Sequence, residues 1–178
     1  MELTLKQFDG EAIDSTTRQW DEFLTEHEMF DLDYRRVLAG AMEYATYEKA
    51  KDNTYSYGVF ANGTKYALAV VSVVHTPKPG LQLGRLKMLQ VDLSPEFDEV
   101  LIAGDLEKRR AVLDIYYAAI AGTIQLGTVH ASRVIKLYGR NNHLLEILSG
   151  LAQRVADKPF EKVSVSMQGR WLVIEVQI

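Results

Sequence analysis

The sequence has one dense group of basic side chains, Lys108-Arg109-Arg110, and groups of this kind can neutralise phosphate. The sequence has 20 Lys and Arg residues in all, those outside this group are mostly interspersed with acids, and the formal net charge is −4. Because generic nucleic-acid binding needs a clustered basic face, we expect none here. A triplet near the start of a helix is most often solvated surface, and this is the alternative interpretation of the three residues.

The remaining reactive side chains exclude several other chemistries. There is no cysteine, which excludes disulfides, thiolate zinc sites and cysteine nucleophiles. The histidines are scattered and lack the spacing of metal ligands, so we expect no metal site; they are His27, His75, His130 and His143. Neither a Gly-x-Ser-x-Gly nucleophile motif nor a Walker A loop is present.

Composition and segment lengths indicate the class of protein. A cysteine-free chain with 47% hydrophobic and 25% charged residues is ordinary for a globular protein of a reducing compartment, and we expect a cytoplasmic location. The segment from Met1 to Lys6 lacks the apolar stretch of a secretory signal. No apolar run approaches the roughly 20 residues that a membrane span needs, so we expect no membrane association.

Hydrophobic periodicity and turn residues predict the elements that position these side chains. Without a linker or repeat, residues 1–178 are expected to form one domain of 178 residues. In chain order the predicted elements are a strand over 3–8, helices over 15–29 and 33–51, strands over 55–60 and 66–74, a strand over 86–93, a helix from 105, a strand over 133–138, a helix over 142–155, and strands over 163–167 and 171–178.

Several boundaries are predicted from single residues. Asn62-Gly63 between two apolar runs predicts a tight antiparallel hairpin. Ser15 or Thr16 is the predicted cap of the first helix, Asp33 of the second and Asp105 of the long central helix. Ser94-Pro95 predicts a short helical turn, and either Asn141 or Asn142 is the expected cap of the last helix.

Taken in order, these elements resemble the GCN5-related N-acyltransferase (GNAT) family over nearly the whole chain. Asn142, at the start of the helix that follows the fifth strand, is the one local sequence similarity. The resemblance implies an α+β fold in which a mixed, largely antiparallel sheet is flanked by helices on both faces.

The resemblance also implies a cofactor, acetyl-CoA. In the family, pantetheine pairs with the backbone of the fourth strand, which here implies Gln90, Val91 and Leu93 within the segment 88–93. The pyrophosphate lies at the N-terminus of the following helix, which implies Gly104, Lys108 and Arg109, with Asn142 further along. The chain departs from the family here, because the Arg/Gln-x-x-Gly-x-Gly/Ala run is absent and Asp105 adds a carboxylate.

Candidate catalytic groups follow from the same resemblance. Seven positions after the helix-starting asparagine the family has a tyrosine that protonates the leaving thiolate, and Ser149 is found here, with Tyr138 as a substitute. Asp92 and Glu96 are the candidate general bases for an amine. Solvated charges at a strand end, and a tyrosine that only packs, are the alternatives.

Two functions are therefore compatible with the sequence. The first is an acyl-CoA-dependent N-acyltransferase that transfers an acetyl group to an amine of a small molecule or a protein. The second is a GNAT-like domain without catalytic activity that acts as a binding or structural module. A homo-oligomer formed through the apolar central helix or the C-terminal strand would suit the second.

Overall fold

The computed structural model describes residues 2–29, 32–46, 53–76, 84–97, 104–157 and 162–176. Within these ranges lie seven strands, four α-helices and one 3₁₀ turn over Pro95–Phe97. The strands are β1 (Leu3–Gln7), β2 (Thr54–Ala61), β3 (Ala67–Thr76), β4 (Arg85–Leu93), β5 (Val134–Tyr138), β6 (Val163–Gln168) and β7 (Trp171–Val176). The helices are α1 (Gly10–Glu26), α2 (Leu32–Thr46), α3 (Leu106–Val129) and α4 (Asn142–Asp157).

The strands form one sheet in the order β1-β2-β3-β4-β5-β7-β6. The pairs β1–β2, β5–β7 and β6–β7 are antiparallel, whereas β4 and β5 are parallel. The predicted α+β class with a mixed, largely antiparallel sheet is confirmed, as is the order of elements on which the family resemblance rests.

The chain forms two compact units, unit 1 with Met1–Ser72 and Val91–Ala119, and unit 2 with Val73–Gln90 and Ile120–Ile178. Both units are discontinuous in sequence, because β3, β4 and α3 each contribute to both. That residues 1–178 form one domain stays a prediction.

The core of unit 1 lies where α1 and α2 pack with β2 and β3. On α1 the buried residues recur every three or four positions, which places them on one side of the helix; they are Ile13, Thr16, Trp20 and Leu24. Phe8 and Phe60 meet edge to face, with ring centroids 5.6 Å apart. Trp20 and Tyr34 join α1 to α2 in the same geometry at 6.0 Å.

The first helix begins earlier than the sequence indicated. Its cap is Asp9, whose carboxylate accepts a hydrogen bond from Ala12 N at 2.8 Å, so the prediction of Ser15 or Thr16 was wrong. The pair Asp9-Gly10 is also typical of a turn that ends a strand, and for this reason its role as the helix cap was not predicted. Asp33 likewise lies inside the first turn of α2, whereas the predicted end of α2 near residue 51 lies outside the described residues.

The central helix α3 has its predicted cap, because Asp105 accepts a hydrogen bond from Lys108 N at 3.0 Å. Its inner side includes Ile115, Tyr116 and Ala119, all buried. By length and composition alone, α3 is the one described helix that could cross a membrane. All charged residues of α3 lie in its first half, from Glu107 to Asp114. The buried inner side of α3 is typical of the core helix of a globular protein.

In unit 2, β7 lies between β5 and β6, and the buried residues of the strands and of α4 form its core. They include Ile135, Leu137, Leu144, Leu148, Leu172 and Ile174. Asn141, one of the two predicted caps, accepts from Leu144 N at 2.8 Å and so begins α4. A Cβ on Gly139 would lie 2.8 Å from Leu145 Cα, so a glycine is needed where β5 passes into α4.

Candidate functional site

The parallel pairing of β4 with β5 covers only the first part of β4. It runs from Arg85↔Val134 to Met88↔Leu137. Strand β4 then continues for five residues, from Leu89 to Leu93, beyond the last residue that is paired with β5. The resemblance predicts pantetheine along this second part of the strand, which carries Gln90, Val91 and Leu93.

The side chains of this second part of β4 differ in burial. Val91 is buried, whereas Gln90, Asp92 and Leu93 are half-buried. Asp92 therefore retains partial access to solvent.

Immediately after β4, three polar groups of unit 1 cluster around the 3₁₀ turn. Ser94 is buried, its backbone N–H donates to Leu68 O at 2.8 Å, and its hydroxyl donates to Glu96 Oε1 at 3.1 Å. Burial raises the pKa of Tyr66 above its ordinary value of 10.0, and the nearby Glu96 carboxylate raises it further. Glu96 is thus held in a fixed position beside a neutral phenol.

The start of α3 is occupied by its own cap. Gly104 has φ +87°, a left-handed conformation that favours glycine, and it is exposed. Asp105 follows, and besides its side-chain bond to Lys108 N its carbonyl accepts from Arg109 N at 3.1 Å. A carboxylate therefore lies where the helix amides would attract an anionic ligand. The Lys108 side chain is half-buried and that of Arg109 is exposed.

In unit 2, Tyr138 lies at the end of β5 against an aromatic neighbour. Its ring and that of Trp171, its partner in the β5–β7 pairing, have centroids 4.7 Å apart at 43°. Next to them, Arg170 donates from Nε to Gly139 O at 2.7 Å and from Nη2 to Arg140 O at 3.0 Å. The backbone after Tyr138 is thereby fixed.

The two predicted site residues of α4 are both exposed. Asn142 is the first residue of the helix, and its neighbour Asn141 supplies the cap. The Ser149 hydroxyl donates to Leu145 O at 2.8 Å, one turn earlier. A hydroxyl bonded in this way to its own helix is a surface feature of α4, and its proton is already shared with a backbone carbonyl.

The predicted site residues are divided between the two units. Unit 1 contains Val91, Asp92 and Leu93 of β4, Glu96 of the 3₁₀ turn, and Gly104, Lys108 and Arg109 at the start of α3. Unit 2 contains Gln90, Tyr138, Asn142 and Ser149. The assignment of a role to each of these residues stays a prediction.

Sequence reasoning missed Tyr66, Ser94 and Trp171 as neighbours of candidate residues. The Ser-Pro-Glu run gave a signal for the contact between Ser94 and Glu96, because serine before a helical turn is a capping residue. No local signal places Tyr66 near Glu96 or Trp171 beside Tyr138, because both neighbours are set by how strands pair. Among the described residues, no group of three or more His, Asp or Glu could hold a metal ion.

No protein-family model and no curated protein matches the sequence. Solved structures do resemble the fold. An acetyltransferase of Trypanosoma brucei is 11% identical at a TM-score of 0.43, with 94% of this chain and 98% of that chain covered. An acetyltransferase of the GNAT family from Staphylococcus aureus is 5% identical at 0.43, with 99% and 100% covered.

The NatC complex bound to Gag peptide and CoA gives a further match, 13% identical at a TM-score of 0.43, with 100% of this chain and 99% of that chain covered. All three are similarities of the chain path at low identity.

Proposed function

We propose that the chain is an acyl-CoA-dependent N-acyltransferase that transfers an acetyl group to an amine. The observation that carries the proposal is the extension of β4 for five residues beyond its pairing with β5, directly into the turn that holds Glu96. An extended strand that outruns its neighbour can pair with the amide groups of pantetheine as a further strand would.

The fit of the cofactor differs between its two ends. The second part of β4 suits the pantetheine arm, which needs backbone partners. The start of α3 does not suit a pyrophosphate bound to helix amides, because the Asp105 carboxylate already caps Lys108 N. Phosphates would therefore be bound by the side chains of Lys108 and Arg109, which are long enough to reach past the cap.

Glu96 is the general base that we favour. An acceptor amine must lose a proton to become a neutral nucleophile, and a carboxylate can accept it directly or through water. The Ser94 hydroxyl holds Glu96 Oε1 at 3.1 Å and leaves the other carboxylate oxygen to act. Asp92, two residues before Ser94, is the second candidate.

The bound cofactor supplies an acyl thioester, which is already activated for transfer, so the chain must bind, orient and move protons. For protonation of the leaving thiolate the candidates are Tyr138 and Ser149. We favour Tyr138, because the ring of Trp171 restricts its orientation, whereas the Ser149 hydroxyl is bonded to Leu145 O. The acceptor is an amine of a small molecule or of a protein.

Binding of acetyl-CoA is the direct test. Isothermal titration should give a saturable signal, and backbone amide resonances of residues 89–93 should shift on binding. S-acetyl-pantetheine should cause the same shifts with lower affinity, because it lacks the phosphates. Lys108→Gln and Arg109→Gln should weaken acetyl-CoA several-fold, whereas Arg18→Gln, an exposed arginine on α1, should not. Absence of binding at high micromolar acetyl-CoA by a folded sample contradicts the proposal.

The second candidate function is a GNAT-like module without catalysis, and two observations favour it. Asp105 occupies the start of α3, and Ser149, in the position of the family's tyrosine, donates to its own helix. This candidate predicts that acetyl-CoA causes no shift at residues 89–93. The titration above therefore separates the two functions.

A further inference from the structure

An apolar stripe lies on the outer side of α3 in unit 1. Leu106, Leu113 and Tyr117 are spaced seven and four residues apart, so they share one side of the helix. Their exposed fractions are 77%, 44% and 43%, although each is a large apolar or aromatic residue. Large apolar side chains grouped on one exposed side of a helix are typical of a contact surface.

Two opposite charges accompany the stripe. Arg110 lies between Leu106 and Leu113, and Asp114 lies one turn after Arg110, at the edge of the stripe next to Tyr117. Both side chains are exposed, and neither forms an ion pair with another described residue. We call Leu106, Arg110, Leu113, Asp114 and Tyr117 together the α3 stripe.

We infer that the α3 stripe binds the α3 stripe of a second copy of this chain, with the two helices antiparallel about a two-fold axis. In such an isologous contact, a residue that lies a given number of positions before the centre faces the partner residue that lies the same number of positions after it. A centre near Val112 places Arg110 opposite the partner's Asp114, and the reverse pair forms by symmetry. In the same register the two copies of Leu113 are offset by about 3 Å along the helix axis, so their side chains are close enough to touch.

The arrangement of charge selects a second copy over an unrelated occupant. The stripe is self-complementary, since its one cation and its one anion lie at equal distances from the centre of the contact. A parallel arrangement in register would instead place Arg110 against the partner's Arg110. Like charges at that distance would repel, so the antiparallel form is preferred.

The size of the stripe sets the strength of the dimer. Leu106 to Tyr117 spans about 17 Å of helix, at 1.5 Å per residue, and a helix is about 10 Å wide. The contact therefore buries a few hundred Å² per copy, against about 800 Å² for a standard interface. We expect a dissociation constant on the order of 10 to 100 µM.

Sedimentation velocity of the full chain over about 5 to 500 µM, without any cofactor, tests this inference. The wild type should shift from monomer to dimer. Arg110→Asp and Asp114→Arg should each weaken association at least tenfold, and the double variant should restore it, because the pair is then reversed. Circular dichroism shows whether each variant is folded, and restoration by the double variant excludes a loss of folding as the cause.

Leu113→Gln should also abolish the dimer, whereas Leu32→Gln, which changes an exposed leucine of α2, should leave it unchanged. A wild type that stays monomeric at 500 µM overturns the inference. So does a dimer that both single charge variants leave intact, or a double variant that fails to restore association. Flotation of a monomeric wild type with anionic lipid vesicles, lost in Leu113→Gln, would assign the stripe to a membrane surface and overturn it as well.

Discussion

The indole Nε1 of Trp20 donates a hydrogen bond to the carbonyl oxygen of Ala67 at 2.9 Å, in the core of unit 1. The backbone N–H of the same alanine donates to the hydroxyl of Thr16 at 3.0 Å. Side chains one turn apart on α1 thus satisfy both backbone groups of the first residue of β3. The helix and the strand are thereby joined by specific bonds as well as by apolar packing.

Replacement of Trp20 should therefore be costly. Trp20→Phe leaves the Ala67 carbonyl without its donor and opens a cavity, and we expect the free energy of unfolding to fall by about 2 to 4 kcal/mol. Thr16→Val should lower it by about 1 to 3 kcal/mol for the loss of one acceptor, whereas Thr16→Ser, which keeps the hydroxyl, should have a smaller effect. Urea denaturation measures all three, and equal effects of the valine and serine variants would argue against the hydrogen bond.

The junction between β5 and α4 requires glycine for lack of space. Gly139→Ala would place a Cβ 2.8 Å from Leu145 Cα, so α4 would have to shift, and we expect a loss of about 1 to 3 kcal/mol. Gly150→Ala is the matched control on α4 itself, where nothing lies within 4 Å of the added Cβ. There the free energy of unfolding should rise by about 0.5 to 1 kcal/mol, because alanine favours a helix. Thermal unfolding of the two variants should show shifts of opposite sign.

His75 and His130 should make the stability of unit 2 depend on pH. Their ring centroids are 4.5 Å apart, and His75 Nε2 is buried without a hydrogen-bond partner. Burial lowers the pKa of His75 below its ordinary value of 6.5, and the charge of His130 lowers it further. The unfolded chain thus binds the proton more tightly, so the free energy of unfolding should fall as the pH drops below 6.5.

The charged and titratable groups that act on His75 are few. Among the described residues, His130 is the one charge that shifts the His75 pKa. Gly84, just before β4, lies so near that a Cβ added to it would be 2.9 Å from His75 Nε2. Urea denaturation at several pH values should show a shallower decline for His130→Gln than for the wild type. Parallel pH profiles of the two proteins would contradict the proposed coupling.

The Asp105 cap opposes an anionic ligand at the start of α3. Asp105→Asn keeps a good capping side chain and removes the charge, so stability should change by less than about 0.5 kcal/mol while acetyl-CoA affinity rises several-fold. Glu107→Gln removes an exposed charge from the same turn and serves as the control for net charge. An unchanged affinity in Asp105→Asn would place the phosphates away from this helix end.

The two candidate bases can be separated by activity. Once an acceptor amine has been identified, Glu96→Gln should lower kcat about 100-fold or more if Glu96 is the general base. Asp92→Asn should then have a much smaller effect on kcat. Ser94→Ala should have an intermediate effect, because it removes the bond that holds Glu96 Oε1. The reverse order of the two carboxylate variants would transfer the role to Asp92.

Local signals in the sequence predicted the elements well where one residue controls one boundary. Asn62-Gly63 forms the predicted turn, with Gly63 at φ +83°, and Asp105 and Asn141 cap their helices. The start of α1 was missed because Asp9-Gly10 is typical both of a turn that ends a strand and of a helix cap. Each statement about a pair of distant residues, such as Tyr138 with Trp171, depends on strand register, and no local signal in a single sequence contains that information.

The strand order of unit 2 also constrains the time course of its folding. Strand β6 is paired with β7 and β7 is paired with β5, so β6 reaches the sheet only through a strand that follows it in the chain. During synthesis, β5 and α4 are made before β7. Ile135 and Leu137 therefore become fully buried only after a late, non-local pairing of β5 with β7. A step of this kind slows folding and exposes an intermediate to aggregation and to chaperones.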